Sequence, residues 1–380
     1  MSDVRVTILS TGHEATDSRL LDKEAITLRD AFDDVRIVAS HEPGAERLDG
    51  VEIVPLPEPT GRLDRFLFAP WRALRTCLRY PADVVHIQDA ELLLICPVLK
   101  ILRRSKILYD VHEDYGLLMR RRVWIPRWLR WPAGCALTAV ERVLALSADG
   151  IVGVTDSLAR KFWNRKKVSV YNLPAEGMIR RASEHSRPID DRQVDLMHLG
   201  VLSGERLEFL AKILRSLIER RDGFRAMLLG LTDDQVQWCR QNLPPENVEP
   251  VGMIPYDDVA REVGNCRIGI DVHPWLQPHL MVALPMKVFE YMACGCSIVS
   301  STMPELKNLL DAETLAALPL IEGADVECFV RHVEEILDDP ARMEANRTLF
   351  QKKVHERYSW QAEGRKLVEF YRRVLPGRKS

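Results

Sequence analysis

Short apolar runs rich in β-branched residues alternate along the chain with longer segments whose apolar positions recur every three or four residues. The runs at 4–9, 35–40, 51–56, 83–87, 106–113, 149–155 and 167–172 predict strands. Residues 62–80 and a segment from Ala90 predict helices, and Leu21, Ala25 and Leu28 predict another behind a capping Asp17. Strands alternating with helices argue for a parallel, doubly wound sheet. Residues 176–193 are polar without a sustained apolar period, and 181–193 is the expected interdomain linker. The pattern then restarts with runs at 194–202, 224–230, 247–252, 267–272 and 297–301. The expected layout is one α/β domain over 1–180, a second over 194–356, and a final helix over 357–376 that crosses back to the first. Alternation alone also fits a pair of flavodoxin-like domains.

The most informative stretch is 285–305, PMKVFEYMACGCSIVSSTMPE. Pro285 suits a first helical position, because its missing N–H has no intrahelical acceptor there. Val288 and Met292 are four apart and face a core, while Lys287 and Glu290 share a more polar face. Gly295 can take the left-handed conformation that closes a helix, and 297–301 reads as a buried strand. A cation in a helix's first turn opposes the helix dipole by roughly 0.3–1 kcal/mol, so it makes better sense with an anion nearby. Free N–H groups, Lys287 and a carboxylate one turn on suit a nucleotide diphosphate, with Glu290 accepting the ribose hydroxyls. A solvated Lys–Glu pair is the plainer alternative.

This string resembles the donor signature of retaining, nucleotide-sugar-dependent glycosyltransferases of family 4, in the branch with a lysine and then FEYMA-glycine. The resemblance implies the GT-B fold: two Rossmann-like α/β domains facing across a cleft. It implies that Glu290 binds the donor ribose and Lys287 lies by the diphosphate. The acid that the paired-glutamate version carries eight residues upstream is here Val282.

Three other constellations carry possible chemistry. In LGVLSGER (199–206), Ser203 and Gly204 can open a helix close to an anion, and Arg206 places a guanidinium in its first turn. This looks like the family's second diphosphate contact; its alternative is an arginine balanced by Glu205 and Glu208. YDVHEDY (109–115) follows a strand ending at the carboxyl edge of the first sheet, where ligands of such sheets lie. The resemblance implies that His112 lines the cleft, with Glu113 beside it on the acceptor side. In GHEATDSR (12–19), Gly12 lets backbone approach the donor, with His13 and Arg19 on the acceptor side, although Arg19 equally fits a pairing with Asp22. The catalytic set implied is therefore His112, Arg206 and Lys287, and the donor-binding set Gly12, Ser203, Gly204, Arg206, Lys287 and Glu290. There is no Gly-x-Gly-x-x-Gly near Gly12, which counts against a dehydrogenase, and no Asp-x-Asp. No metal or other cofactor is expected.

Composition changes the picture in two places. The formal charge of −2 gives no reason to expect nucleic acid, and eight scattered cysteines without zinc spacing suggest reduced thiols in a cytosol. The start shows no signal peptide and no apolar run is long enough to cross a bilayer, so the expected location is cytoplasmic. One segment departs from the average. Residues 120–132 hold Arg120, Arg121, Arg122, Arg127, Arg130 and Trp124, Trp128, Trp131 without an acid, and 62–80 carries five arginines against one acid. Arginine near anionic lipid and tryptophan at the lipid–water boundary predict a peripheral contact on the inner membrane face. Tryptophans packed into the core are the alternative.

The expected activity is transfer of a sugar from a nucleotide diphosphate-sugar to a hydroxyl of a glycan or lipid-linked glycan, with retention of configuration, in surface polysaccharide or glycoconjugate assembly. A non-hydrolysing nucleotide-sugar epimerase of the same fold and a non-catalytic sugar-nucleotide sensor are the competing expectations.

Overall fold

The structure is a computed structural model that describes residues 4–41 and 47–375. The chain divides into two compact units, residues 1–172 with 360–380, and residues 173–359.

The first unit is built on β1 (Arg5–Glu14), β2 (Asp34–Ser40), β3 (Arg47–Leu48), β4 (Val51–Leu56), β5 (Val84–Ile87), β6 (Lys106–Val111), β7 (Gly150–Gly153) and β8 (Lys167–Ser169). Their order is β3-β4-β2-β1-β5-β6-β7-β8, and every pairing is parallel except β3 with β4. The chain steps one way from β1 to β2 and β4, then the other way through β5 to β8. The order therefore reverses between β1 and β5, the crevice where open α/β sheets bind ligands. Helix α1 is Ala69–Arg79 and α2 is Arg127–Ala145. The helix expected over 62–80 begins as a π-helical turn, Asp64–Phe68, just before Pro70. Proline has no N–H to continue the α-helical ladder there.

The expected linker is not a free segment. Residues Glu176–His185 form helix α3, with Met178, Ile179 and Ala182 buried. Those three positions share one face, a signal that the surrounding polar residues mask. Further on, Arg192 is 1% exposed and donates to the carbonyl oxygens of Cys266 (2.6 Å), Gly295 (3.1 Å) and Cys294 (2.9 Å). The linker's end is thus built into the second unit, held by an arginine that satisfies backbone carbonyls at positions 266, 294 and 295.

The second unit holds β9 (Val194–Leu199), helix α4 (Gly204–Arg220), β10 (Ala226–Leu231), β11 (Val248–Gly252), β12 (Cys266–Asp271), helix α5 (Met286–Ala293), β13 (Ser297–Ser301) and β14 (Leu320–Ile321). All pairings are parallel in the order β11-β10-β9-β12-β13-β14, which reverses between β9 and β12. Leu207, Leu210, Leu214 and Leu217 of α4 are buried against Leu196, Leu228 and Ile268 of the strands.

Helix α6, Trp360–Val374, belongs to the first unit. Its Trp360, Leu367, Phe370 and Tyr371 join the core of β1, β2 and β5. The Trp360 indole N–H donates to Thr27 Oγ1 (2.8 Å) and Lys23 O (3.0 Å). None of the helices among the described residues is long and apolar enough to cross a membrane. All eight cysteines are free, six of them buried.

Candidate functional site

The second unit's switch point is occupied by a charged cluster. Helix α5 brings Lys287 there, and its seating is over-determined. Pro285 stands at the N-cap rather than inside the helix, one residue earlier than expected. At the other end Gly295 has φ +66°, Gly295 N–H donates to Met292 O (3.0 Å) and Cys296 N–H to Tyr291 O (2.9 Å). This paired closure requires the left-handed residue that glycine supplies. Tyr291 is fully buried; its hydroxyl accepts from Leu199 N–H (2.8 Å) and donates to Met197 O (3.2 Å). Its ring lies where a Cβ on Gly269 would sit 2.3 Å away, so only glycine on β12 admits the ring. The tyrosine between Glu290 and Met292 thus ties the helix to β9 and β12.

Around Lys287 lie groups that the sequence pattern did not single out. Asp271, at the end of β12, is fully buried and receives Lys287 Nζ at 3.4 Å and Arg206 Nη2 at 3.3 Å on one oxygen, and His273 Nε2 at 3.2 Å on the other. Arg206 also donates through Nε to Val272 O (2.7 Å). Burial alone would raise the Asp271 carboxyl, but Lys287, His273 and Arg206 outweigh it and hold it well below the usual carboxylate range. Burial pulls Lys287 below an ordinary lysine, with Asp271 working against that. The only sign of Asp271 in the sequence is an acid closing an otherwise apolar strand run.

His198, on β9, fixes its own tautomer. Its Nδ1 lies 3.1 Å from Ile270 O, which can only accept, so Nδ1 carries the proton and Nε2 accepts from Lys287 Nζ at 3.4 Å. Burial, reinforced by Lys287, pushes His198 well below the usual imidazole value. A proton therefore binds His198 in the unfolded chain below about pH 6.5 but not in the folded one. Stability contributed by this site is whole above that pH and falls on acidification, by about 1.4 kcal/mol per pH unit. Burial and Asp110 push Glu24 of the first unit well above its ordinary value, which acts in the opposite sense. The check is a comparison of wild type with His198→Gln: urea unfolding at pH 6.5 and pH 5.5 should lose less stability in the variant, and equal losses would refute the assignment.

Glu290 is 3% exposed and accepts from Tyr256 Oη at 3.0 Å. Gly200, at the end of β9, has φ +94° and sits beside Gly230, where an added Cβ would meet the Gly200 backbone at 3.3 Å. Ser203 caps α4 through its backbone geometry without a side-chain hydrogen bond, and Gly204 faces open space. The structure thus brings Arg206 and Lys287 together on one carboxylate, with Gly204 opening the neighbouring helix. Arg206 does not stand free for a phosphate, as expected from the sequence, but is already half engaged by β12. With Asp271 ionised and His198 neutral, the two cations leave one net positive charge beside the starts of α4 and α5, where exposed N–H groups favour an anion.

The first unit shows its own cluster at its switch point. Asp89 Oδ2 accepts from Ser10 Oγ (2.7 Å), Thr11 N–H (2.8 Å) and Gly12 N–H (3.1 Å), which wraps the irregular stretch of β1 after Leu9 around one carboxylate. A Cβ on Gly12 would sit 2.3 Å from Arg65, which itself pairs with Asp89 (2.9 Å) and Glu91 (2.6 Å). Gly12 and Arg65 help line a cavity of about 330 Å³. His112 approaches Asp110 at 3.2 Å, and its ring centroid is 5.4 Å from that of His13. His13 is raised by its hydrogen bond to Asp17, and His13 in turn holds Asp17 at about 2 against burial. Asp17 also accepts from Arg19 N–H (2.9 Å), as a cap should. Glu113 is exposed.

Arg19 requires a correction. It is 4% exposed, pairing with Asp110 (2.7 Å) and Glu24 (3.0 Å), so it is a buried counter-ion rather than a group offered to an acceptor. Asp110 and Glu24 lie far from it in sequence or one turn on, and only the folded sheet collects them. Ligand-type atoms of Glu24, His86 and Asp110 lie within 4.8 Å of one another, all buried. The Arg19 guanidinium already supplies the positive charge that those carboxylates would otherwise draw from a metal.

Residues 206–369 match a family model described as glycosyl transferase-like, and residues 25–172 match one described as a glycosyl transferase 4-like domain. The fold is similar to that of Anabaena HepE in complex with UDP and glucose, at 13% identity and TM-score 0.70 over 97% of this chain and 99% of that one. A glycosyltransferase from Rickettsia africae aligns at 12% identity and TM-score 0.72, covering 99% of this chain and 100% of its own. Sucrose-phosphate synthase from Thermosynechococcus elongatus aligns at 15% identity and TM-score 0.70, covering 97% and 99%. No curated protein sequence matches the chain.

Proposed function

From the premise that both units are glycosyl transferase-like α/β domains of the GT-B class, we propose that the protein moves a sugar from a nucleotide diphosphate-sugar to a hydroxyl of a glycan or lipid-linked glycan. The observation that carries this reading is the Arg206–Asp271–Lys287 cluster at the β9/β12 switch point, a preset positive site beside two helix starts. Breaking the bond between sugar and diphosphate leaves negative charge on the diphosphate. Fixed cations that need not reorganise stabilise that charge more than they stabilise the intact donor. Lys287 and Arg206 take this role, with Gly204 allowing backbone N–H groups close approach. Glu290, which accepts from Tyr256 Oη, receives the ribose hydroxyls.

In the first unit, His112 and His13 hold the acceptor, and Asp110 sets the orientation of the His112 ring. Transfer keeps the anomeric configuration, and the assembly of surface polysaccharide or glycoconjugate is the setting that fits such an acceptor. The UDP-bound Anabaena structure makes UDP-sugars the first donors to try.

The experiment has two stages. Nucleotide-sugars are screened for a rise in melting temperature, since a ligand that binds only the folded state stabilises it by mass action. The best donor is then incubated with glycan acceptors, and products are separated by mass spectrometry. Free nucleotide plus a lengthened glycan supports transfer. An epimerised nucleotide-sugar formed without acceptor would replace this reading with an epimerase, and binding without turnover would leave a sensor.

A further inference from the structure

Helix α2 is inside out for a helix on a water-soluble surface. The residues it buries are small or polar, Gly134, Glu141 and Ala145, with Leu137 and Leu144 half-buried beside them. Its outward face carries Trp128 and Trp131, then Ala136, Ala139, Val140, Val143 and, just past its end, Leu146, all exposed. Trp128 is 76% exposed and Val143 is 57% exposed. Tryptophans packed into the core, the plainer expectation from the sequence, are therefore excluded. A solvated helix places its apolar stripe against the core and its charges outside. Here the stripe faces out along the helix's full length.

The stripe continues onto neighbouring segments of the same unit. Arg62 stacks on Trp124 at 5.5 Å, which joins the start of α2 to Leu63, Phe66, Leu67, Phe68 and Trp71, every one more than half exposed. At the other end Lys100 donates to Ser147 O (3.0 Å), which brings exposed Ile101 and Leu102 alongside. A contiguous exposed apolar area of this extent marks an interaction surface.

Charge selects the occupant. Residues 62–80 hold five arginines and residues 120–146 hold six, against the acids Asp64 and Glu141. Both acids are already paired, Asp64 with Arg72 at 2.7 Å and Glu141 with Lys161 at 2.7 Å. A second copy would set these arginines against their own kind. An amphipathic helix with tryptophans, aliphatic residues and an arginine fringe free of acid is suited to the boundary between headgroups and acyl chains. We propose that the surface formed by α2 and residues 62–71 docks on an anionic lipid bilayer, with α2 lying in the plane of the interface.

The test is co-sedimentation of the full chain with vesicles of equimolar phosphatidylcholine and phosphatidylglycerol, or of phosphatidylcholine alone, without any nucleotide-sugar. Failure of the donor assignment would leave this result untouched. Wild type should pellet with the anionic vesicles only, and release in about 1 M salt, where charge is screened within about 3 Å. Val140→Asp with Val143→Asp, and separately Trp128→Ala with Trp131→Ala, should each weaken partitioning about tenfold or more while the melting curve stays as in wild type. Arg121→Glu with Arg122→Glu should do the same by charge alone. Wild type that stays in the supernatant, or variants that bind vesicles as wild type does, would overturn the proposal. So would a wild-type dimer by ultracentrifugation that the Val140/Val143 variant abolishes, which would give the surface to a second copy.

Discussion

Lys287→Met is expected to lower kcat for sugar transfer by about 10²–10³-fold, the loss typical of removing one group that meets charge only as it develops. The side chain sits 3.4 Å from Asp271 and 3.4 Å from His198, so it is aimed before any substrate arrives. A methionine keeps the aliphatic bulk and removes the charge. Glu290→Gln should behave differently. Its carbonyl oxygen can still accept from Tyr256, but it no longer accepts both ribose hydroxyls as an ion. That interaction is the same in ground and transition states, so its loss should appear mainly as a higher KM for the donor, by about tenfold or more. Steady-state kinetics with the donor found by thermal shift, on variants whose melting temperature matches wild type, separate the two. Wild-type kinetics in both variants would remove the donor site from helix α5.

Asp271→Asn is expected to cost about 3–5 kcal/mol of stability, as when one partner of a buried ion pair is removed. Asp271 is fully buried and offsets part of the charge of Lys287 and Arg206 at once. The amide leaves those cations facing one another in a site with little water. A bound diphosphate supplies the missing negative charge, so UDP should recover more melting temperature in the variant than it adds to wild type. Urea unfolding and thermal melts with and without UDP measure both effects. A variant as stable as wild type would show that these charges are not coupled.

Several parts of this arrangement were legible along the chain for local reasons. Gly295 closes its helix in the left-handed conformation because the chain must turn there, and no other residue does so without strain. Val288 and Met292 are buried as their spacing requires. Asp17 caps the next turn, and the strand runs fell where β1, β2, β4 and their successors lie. Helix α3 and Arg192 were missed, because a polar majority concealed three apolar residues on one face and an arginine whose backbone-carbonyl partners are gathered only by the fold.

The sequence by itself determined the alternation of strands and helices, the doubly wound character of each half, and the identity of the helix bearing Lys287 and Glu290. These follow from period, capping and turn chemistry, which act within a few residues. Only the tertiary structure decided that Asp271 and His198 surround Lys287, that Arg19 is a buried counter-ion, and that α2 turns its large apolar side chains outward. Those outcomes depend on which strand ends become neighbours across a parallel sheet and on which helix face the sheet leaves uncovered. Neither is encoded in the spacing of residues along one element.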